Sequence, residues 1–276
     1  MVVSTMDWGG GGVSFPEKYS YLLFRTNMAF VEAEKIYRKR ENANAPCKVN
    51  INHHEFLWHD NSDISLNMNT SEESLRVCSL AHVLLNEYYL EGFNPSDGET
   101  IIDCGGAIGD TALFFNAFYP NSHIYTFECN DAAYSIMRKN IESNHKQNLI
   151  SSYKNAVGLK DEKLHFENWS IVKEKTQSSV EVECISIDSF VRKHNVDNVG
   201  LIKMDIEGGE QNALKGAKDT ITRFKPKLMI PIYHLENDIV EIPRILHSFG
   251  LKMEFRIKWV EIRAWNVDCI LFVRFI

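Results

Sequence analysis

The sequence predicts an α/β protein built on a doubly wound, mostly parallel sheet, preceded by a helix and a β-hairpin. Three observations lead there. From Glu99 onward, short β-rich runs alternate with amphipathic helical segments, the pattern of successive βαβ units. A glycine-rich turn, "DCGGAIGD", joins the first of these runs to the helix that follows it. The last two runs, "LKMEFRIKWV" and "CILFVRF", have no helix between them and so predict an antiparallel pair at the sheet edge.

Taken in order, the chain opens with a glycine run, Gly9 to Gly12, and then "FPEKYSYLLFRTNMAFVEAEKIYRKRE", whose apolar spacing of three and four predicts a helix. "CKVNINHHEFLWHDNSDISLNM" alternates Val49 and Ile51 with, later, Ile64, Leu66 and Met68, which predicts a hairpin turning at "HDNSD". Thr70 and Glu73 form a capping box for a helix from Ser71 to Gly92. Residues 1–98 are therefore expected to be an extension that acts as a lid or shapes an acceptor pocket, and residues 99–276 the main domain. In that domain the strands are "TIIDCGG", "HIYTFE", "ISSYKNAVG", "VGLIKMD" and "KLMIPIY". The helices run from Asp110 to Phe118, Asp131 to Ser143, Glu210 to Arg223 and Asp238 to Ser248, the last stopped by Gly250. A less regular stretch between the third and fourth strands holds "KLHF", "VEVECISI" and a short helix from Asp188 to His194.

Composition narrows the function. The 276 residues are 44% hydrophobic and 24% charged, ordinary for a globular chain. A formal net charge of −7 argues against binding a phosphate backbone, so nucleic acid is not an expected partner. Six cysteines without a C-x-x-C pair fit reduced thiols, and the N-terminus "MVVSTMDWGGGG" lacks the pattern of a signal peptide. No segment approaches the roughly 18 apolar residues of a membrane span. A cytoplasmic protein with no membrane partner is the expectation.

Two groups of residues carry chemistry. In "IIDCGGAIGDT" an acid precedes the turn, and the spacing Asp103, Gly105, Gly109 departs from the dinucleotide pattern, which would need glycine where Cys104 stands. Asp103 would repel a pyrophosphate but suits a cationic ligand such as S-adenosylmethionine, so the spacing favours that methyl donor over NAD. Gly106, Ala107, Asp110 and Thr111 belong to the same turn. Glu128 ends the second strand, where an acid holds the ribose hydroxyls of an adenosine cofactor, with Cys129 and Asn130 beside it. Asn155 and Ala156, at the mouth of the third strand, are placed to edge the adenine. The second group is Lys203 and Asp205 on one face of the fourth strand and His234 at the end of the fifth. A carboxylate and an imidazole at adjacent strand ends can act as base and orienting group, or share Mg²⁺ or Mn²⁺, with Glu207 and Glu236 as further ligands. Glu210 reads as an acid favoured by a helix start. His53, His54 and His59 cluster without a Cys or acid partner at ligand spacing, and Trp259 and Trp265 read as packing residues.

Together "IIDCGGAIGDTALFF", "YTFECND", "LIKMDIEGGEQNALKGA" and "IYHLENDIVEIPRIL" resemble the FkbM family of S-adenosylmethionine-dependent methyltransferases. The resemblance implies a class I methyltransferase (Rossmann-like) fold, a seven-stranded sheet with an antiparallel C-terminal strand. It also implies methyl transfer to oxygen, on a nucleotide-linked or polymeric sugar such as a capsular polysaccharide, or on a polyketide-like natural product. Asp103, Gly105, Gly109 and Glu128 would carry the cofactor positions, and Asp205 and His234 the acid–histidine region. Ala107, Cys129 and Gly209 stand where that family usually has Asn, Pro and Ala. A homodimer is a further expectation. Two rival readings remain at this point: an NAD-dependent oxidoreductase, and a degenerate methyltransferase domain kept for binding.

Overall fold

The computed structural model describes residues 29, 32, 33, 35, 36, 39, 46–59, 80, 82–167, 169–172, 174–262 and 266–276. Ala29, Glu32, Ala33, Lys35 and Ile36 are helical, within the predicted N-terminal helix. Strands β1 (Cys47–Ile51) and β2 (His54–Trp58) pair from Cys47↔Trp58 to Ile51↔His54. The chain reverses at Asn52 and His53, whose φ angles of 45° and 65° are the two positive values that a tight hairpin turn requires. The hairpin thus turns before "HDNSD", and Ile64, Leu66 and Met68 lie outside the described residues, as do the Thr70–Glu73 capping box and Trp265. Helix is seen at Leu80 and His82 to Leu84 and gives way to turns at Leu85, well short of Gly92.

The main domain runs β3 (Ile101–Cys104), α1 (Asp110–Phe118), β4 (Ile124–Phe127), α2 (Asp131–Ser143) and β5 (Ile150–Tyr153). There follow β6 (Ala156–Val157), β7 (Glu162–Glu167), β8 (Ser170–Val172), β9 (Val180–Ile185) and α3 (Ile187–Lys193). The chain then forms β10 (Leu201–Met204), α4 (Glu210–Lys215), α5 (Lys218–Phe224), β11 (Lys227–Pro231), α6 (Asp238–His247), β12 (Met253–Ile262) and β13 (Asn266–Phe275). Seven strands form one sheet in the order β12-β13-β11-β10-β3-β4-β5, parallel except for β13, which runs antiparallel to both neighbours. The predicted single strand "ISSYKNAVG" divides, its second half joining a separate sheet, β6-β9-β7-β8. The predicted helix from Glu210 to Arg223 also divides. It breaks at Gly216, where a Cβ would stand 2.2 Å from the Gly158 carbonyl, so the helix yields to a close backbone approach.

Alternation within the strands places the core. Ile101, Leu201 and Met229 face one apolar cluster while Ile102, Ile202 and Leu228 face the other, so the central strands are buried on both faces. Val49, Trp58 and Leu80 share the first cluster with Ile101 and Leu113, so the extension and the sheet build one core. The hairpin is also tied by two side-chain amides of α2. Asn144 exchanges hydrogen bonds with the backbone of Leu57 (2.7 and 2.6 Å), and Asn140 with that of His59 (2.6 and 3.1 Å). No helix among the described residues is long and apolar enough to cross a membrane.

Candidate active site

The charges set into the fourth strand are accounted for by register. Lys203 of β10 is the direct neighbour of Asp103 on β3, which in turn neighbours Thr126 on β4. The side chains of Asp103 and Lys203 are 0% and 1% exposed, with Lys203 Nζ 3.2 Å from Asp103 Oδ1. Thr111 and Thr126 donate to Asp103 Oδ2 at 2.8 and 2.9 Å. Lys203 also donates to the carbonyls of Gly105 (2.6 Å) and Cys104 (3.3 Å). Burial opposes the ammonium, but Asp103, then Asp205 and Asp110, outweigh it and hold its pKa above the ordinary lysine value. Asp103, Thr111 and Lys203, expected at the cofactor or the reacting atoms, form a buried network with the carbonyls of Cys104 and Gly105 that supports the glycine turn. Gly105 itself (φ 76°) packs on the next strand end, where a Cβ would come within 1.7 Å of the Asp205 carbonyl oxygen.

A cleft opens beside this turn, lined among others by Gly105, Glu128, Cys129, Asn155, Ala156 and Asp205. Glu128 is 8% exposed. Its two oxygens accept from the amides of Ala107 (3.0 Å) and Asn130 (2.7 Å), so it ties the glycine turn to the start of α2. Burial pushes its carboxyl up to about 7 despite those bonds. Ala107 has φ 42°, a left-handed position in which Asn or Gly is more at ease than Ala. Asn130 caps α2, accepting from the amides of Ala132 and Ala133, and Asn155 donates to the Glu183 carbonyl at 3.4 Å. Asp110 opens α1, its Oδ1 buried without a hydrogen-bond partner among the described residues, and burial raises its carboxyl to about 6.

Asp205 follows β10 at the rim of the same cleft. β11 stops at Pro231, which has no amide hydrogen for the ladder, so His234 arrives from the loop beyond the strand rather than from its end. The two side chains nevertheless meet, with His234 Nε2 3.5 Å from Asp205 Oδ1 and 3.5 Å from Glu207 Oε2. Glu210, read as a helix-start acid, does more than the dipole asks. Fully buried, it accepts from the amides of Ile206 (2.9 Å) and Gly208 (3.0 Å), shaping the turn, and lies 2.9 Å from His234 Nδ1. Burial works against a charged His234, yet Glu210, Asp205 and Glu207 outweigh it and raise the imidazole to about 9. Its Nε2 is buried without a hydrogen-bond partner among the described residues. Tyr88, from the extension, donates to Asp205 Oδ2 at 2.7 Å. Glu236 is exposed; Asp205, Glu210 and His234 bring ligating atoms within 4.8 Å of one another here, as His82, Glu87 and Asp268 do elsewhere among the described residues.

The sequence profile of the Methyltransferase FkbM domain matches residues 103–255, from the buried acid of β3 into β12. The chain belongs to the FkbM methyltransferase family. It is 24% identical over 181 residues to Methyltransferase 1 of Beauveria bassiana (strain ARSEF 2860), covering 56% of this chain and 72% of that protein. The crystal structure of Methyltransferase FkbM from Methylobacillus flagellatus KT superposes with a TM-score of 0.51 at 22% identity, covering 74% of this chain. The chain spans only 55% of that structure's length. Within this FkbM fold, Gly105, Glu128, Cys129, Asn155, Ala156, Asp205 and Glu207 meet at one cleft, while Asp103, Thr111 and Lys203 stand behind it. Sequence reading missed Tyr88, which lies far from any motif, and the cleft residues Phe166, Trp169 and Ile171, whose strands carry no chemical signature.

Proposed function

We propose that this FkbM methyltransferase transfers the methyl group of S-adenosylmethionine to a hydroxyl oxygen of a sugar or natural-product acceptor, with Asp205 and His234 holding that hydroxyl. One observation carries the reading: Asp205 lines the same cleft as Gly105 and Glu128 and lies 3.5 Å from His234. S-adenosylmethionine, when bound, supplies a methyl group already activated by its sulfonium. The chain then has to align the acceptor oxygen and receive its proton. Glu128 is placed to accept from ribose hydroxyls, and the Gly105 turn lets the backbone approach the cofactor. With Tyr88 holding Oδ2 of Asp205, Oδ1 is the oxygen left to take the acceptor proton. His234, its Nδ1 held by Glu210, points Nε2 toward the same place and orients the acceptor.

The donor set also fits a divalent cation. Nε2 of His234 is a buried nitrogen with no hydrogen bond, flanked by carboxylate oxygens of Asp205 and Glu207, while Glu210 orients the ring from the other side. Mg²⁺ or Mn²⁺ held by Asp205, Glu207 and His234 would displace the proton that this acidic surround keeps on the imidazole, and would polarise the acceptor hydroxyl.

The test is calorimetric titration with S-adenosylhomocysteine, with NAD as control and with and without Mn²⁺, followed by methyl-transfer assays on a panel of sugars. Micromolar affinity for S-adenosylhomocysteine alone, about −8 kcal/mol, is expected. Asp205→Asn and His234→Ala should abolish most turnover while leaving that affinity intact. Unchanged turnover in both variants would sink the assignment.

A further inference from the structure

We propose that the β7–β8 hairpin forms an aromatic wall for the adenine of the cofactor, and that Trp169 at its tip stacks on the base. The inference rests on the methyltransferase reading and adds a part of the site that no motif in the chain announces. With the ribose at Glu128, the base falls toward Cys129, Asn155 and Ala156. Phe166, Trp169 and Ile171, all from the hairpin, line the same cleft beside those residues. The wall is anchored, because Phe166 is buried in a cluster with Ala156, Val182 and Cys184, against which Cys129 and Trp169 also pack. One feature leaves its inner surface open to a ligand. Ile171 is 39% exposed although it lines the cleft, so apolar surface there lacks a cover. Trp169 sits at φ 66° because it belongs to the two-residue turn between the paired Glu167 and Ser170, a left-handed position that a tight hairpin requires and that places it at the tip. A purine is the flat, apolar-faced group that such a wall fits, and stacking on an indole needs no particular base edge.

The experiment titrates the full chain with S-adenosylhomocysteine, and separately with 5′-methylthioadenosine, which keeps the adenosine but lacks the amino acid. Binding is read by calorimetry and by tryptophan emission. Trp169→Leu keeps an apolar side chain but removes the ring, and should weaken both ligands equally, by roughly fivefold to a hundredfold. Trp169→Phe should stay within about threefold of wild type, because a ring remains, yet lose the emission change on binding. Thermal melting checks folding. Should Trp169→Leu fail to fold, Ile171→Ala takes its place, with a smaller loss of about threefold expected for the removed apolar contact. Wild-type affinity in a folded Trp169→Leu variant, or an emission change that persists in Trp169→Phe, overturns the stacking role alone. A folded wild-type protein that binds neither ligand overturns the methyltransferase reading and this inference with it.

Discussion

A lysine ammonium inside an apolar strand is tolerated only when its charge is met, and Lys203 is met by Asp103 at 3.2 Å and by two backbone carbonyls. Removing one partner leaves the other buried and uncompensated. Lys203→Met is therefore expected to destabilise the fold by about 3–5 kcal/mol in denaturant titration, and Lys203→Met with Asp103→Leu to recover part of that loss. Glu128 offers a second prediction at this scale. Its carboxyl, pushed up to about 7 by burial, accepts hydrogen bonds best when ionised. Affinity for S-adenosylhomocysteine should fall as pH drops through that value, because protonation removes acceptor capacity. Glu128→Gln should bind weakly at every pH and show no such dependence, as calorimetry across a pH series would reveal.

At the scale of elements, β2 has an exposed-edge problem that α2 solves with side chains. Asn140 and Asn144 behave as a short surrogate strand, one helical turn apart, each meeting both a donor and an acceptor of the β2 backbone side. Asn140 also donates to the Ile108 carbonyl at 2.8 Å, so it links the hairpin to the glycine turn. Asn140→Ala removes hydrogen bonds to the His59 backbone and to the buried Ile108 carbonyl, and should lower stability by about 1–3 kcal/mol, measured by thermal or chemical unfolding. Because the turn is affected as well, the same variant should weaken S-adenosylhomocysteine, whereas Asn144→Ala should cost stability with little change in affinity.

Over the whole molecule, the extension and the sheet are joined near the site by a charge cluster. His82 contacts Glu87 and lies 3.4 Å from Asp268 on β13, and Lys258 on β12 donates to the carbonyls of Asn86, Glu87 and Tyr89. This seam presents Tyr88 to Asp205. Burial disfavours a charged His82, but Glu87 and then Asp268 and Asp110 outweigh it and raise its pKa from 6.5 to about 9. Between those two values the folded state holds a proton that the unfolded chain has released, so stability declines as pH rises across the window. Asp268, raised by burial and by Glu87 to about 7, acts in the same direction at lower pH. The melting temperature should fall between roughly pH 7 and 9 in the wild type, and fall less in His82→Gln. A wild-type profile as flat as that of the variant would remove His82 from the stabilising seam.

The sequence by itself determined the alternation of the main-sheet strands and their helices, the parallel sheet with one reversed strand, and the turn between Asp103 and Asp110, but not β8. It did so because those features are written in local periodicity, glycine and the spacing of neighbouring residues. It also marked Glu128, Asp205 and His234, since acids and a histidine at the ends of parallel strands must face the same edge of the sheet. Only tertiary structure decided what each charge does. Lys203 and Asp103 are distant in the chain, and strand register alone makes them a buried pair beneath the turn. Glu210 looks like an ordinary helix-start acid until folding brings His234 to it, and Tyr88 has no signature until its hydroxyl reaches Asp205. The split of the third strand and of the helix at Gly216 likewise depends on partners far away in the chain. Local pattern specifies an element, whereas a contact between distant residues exists only once the chain has closed around it.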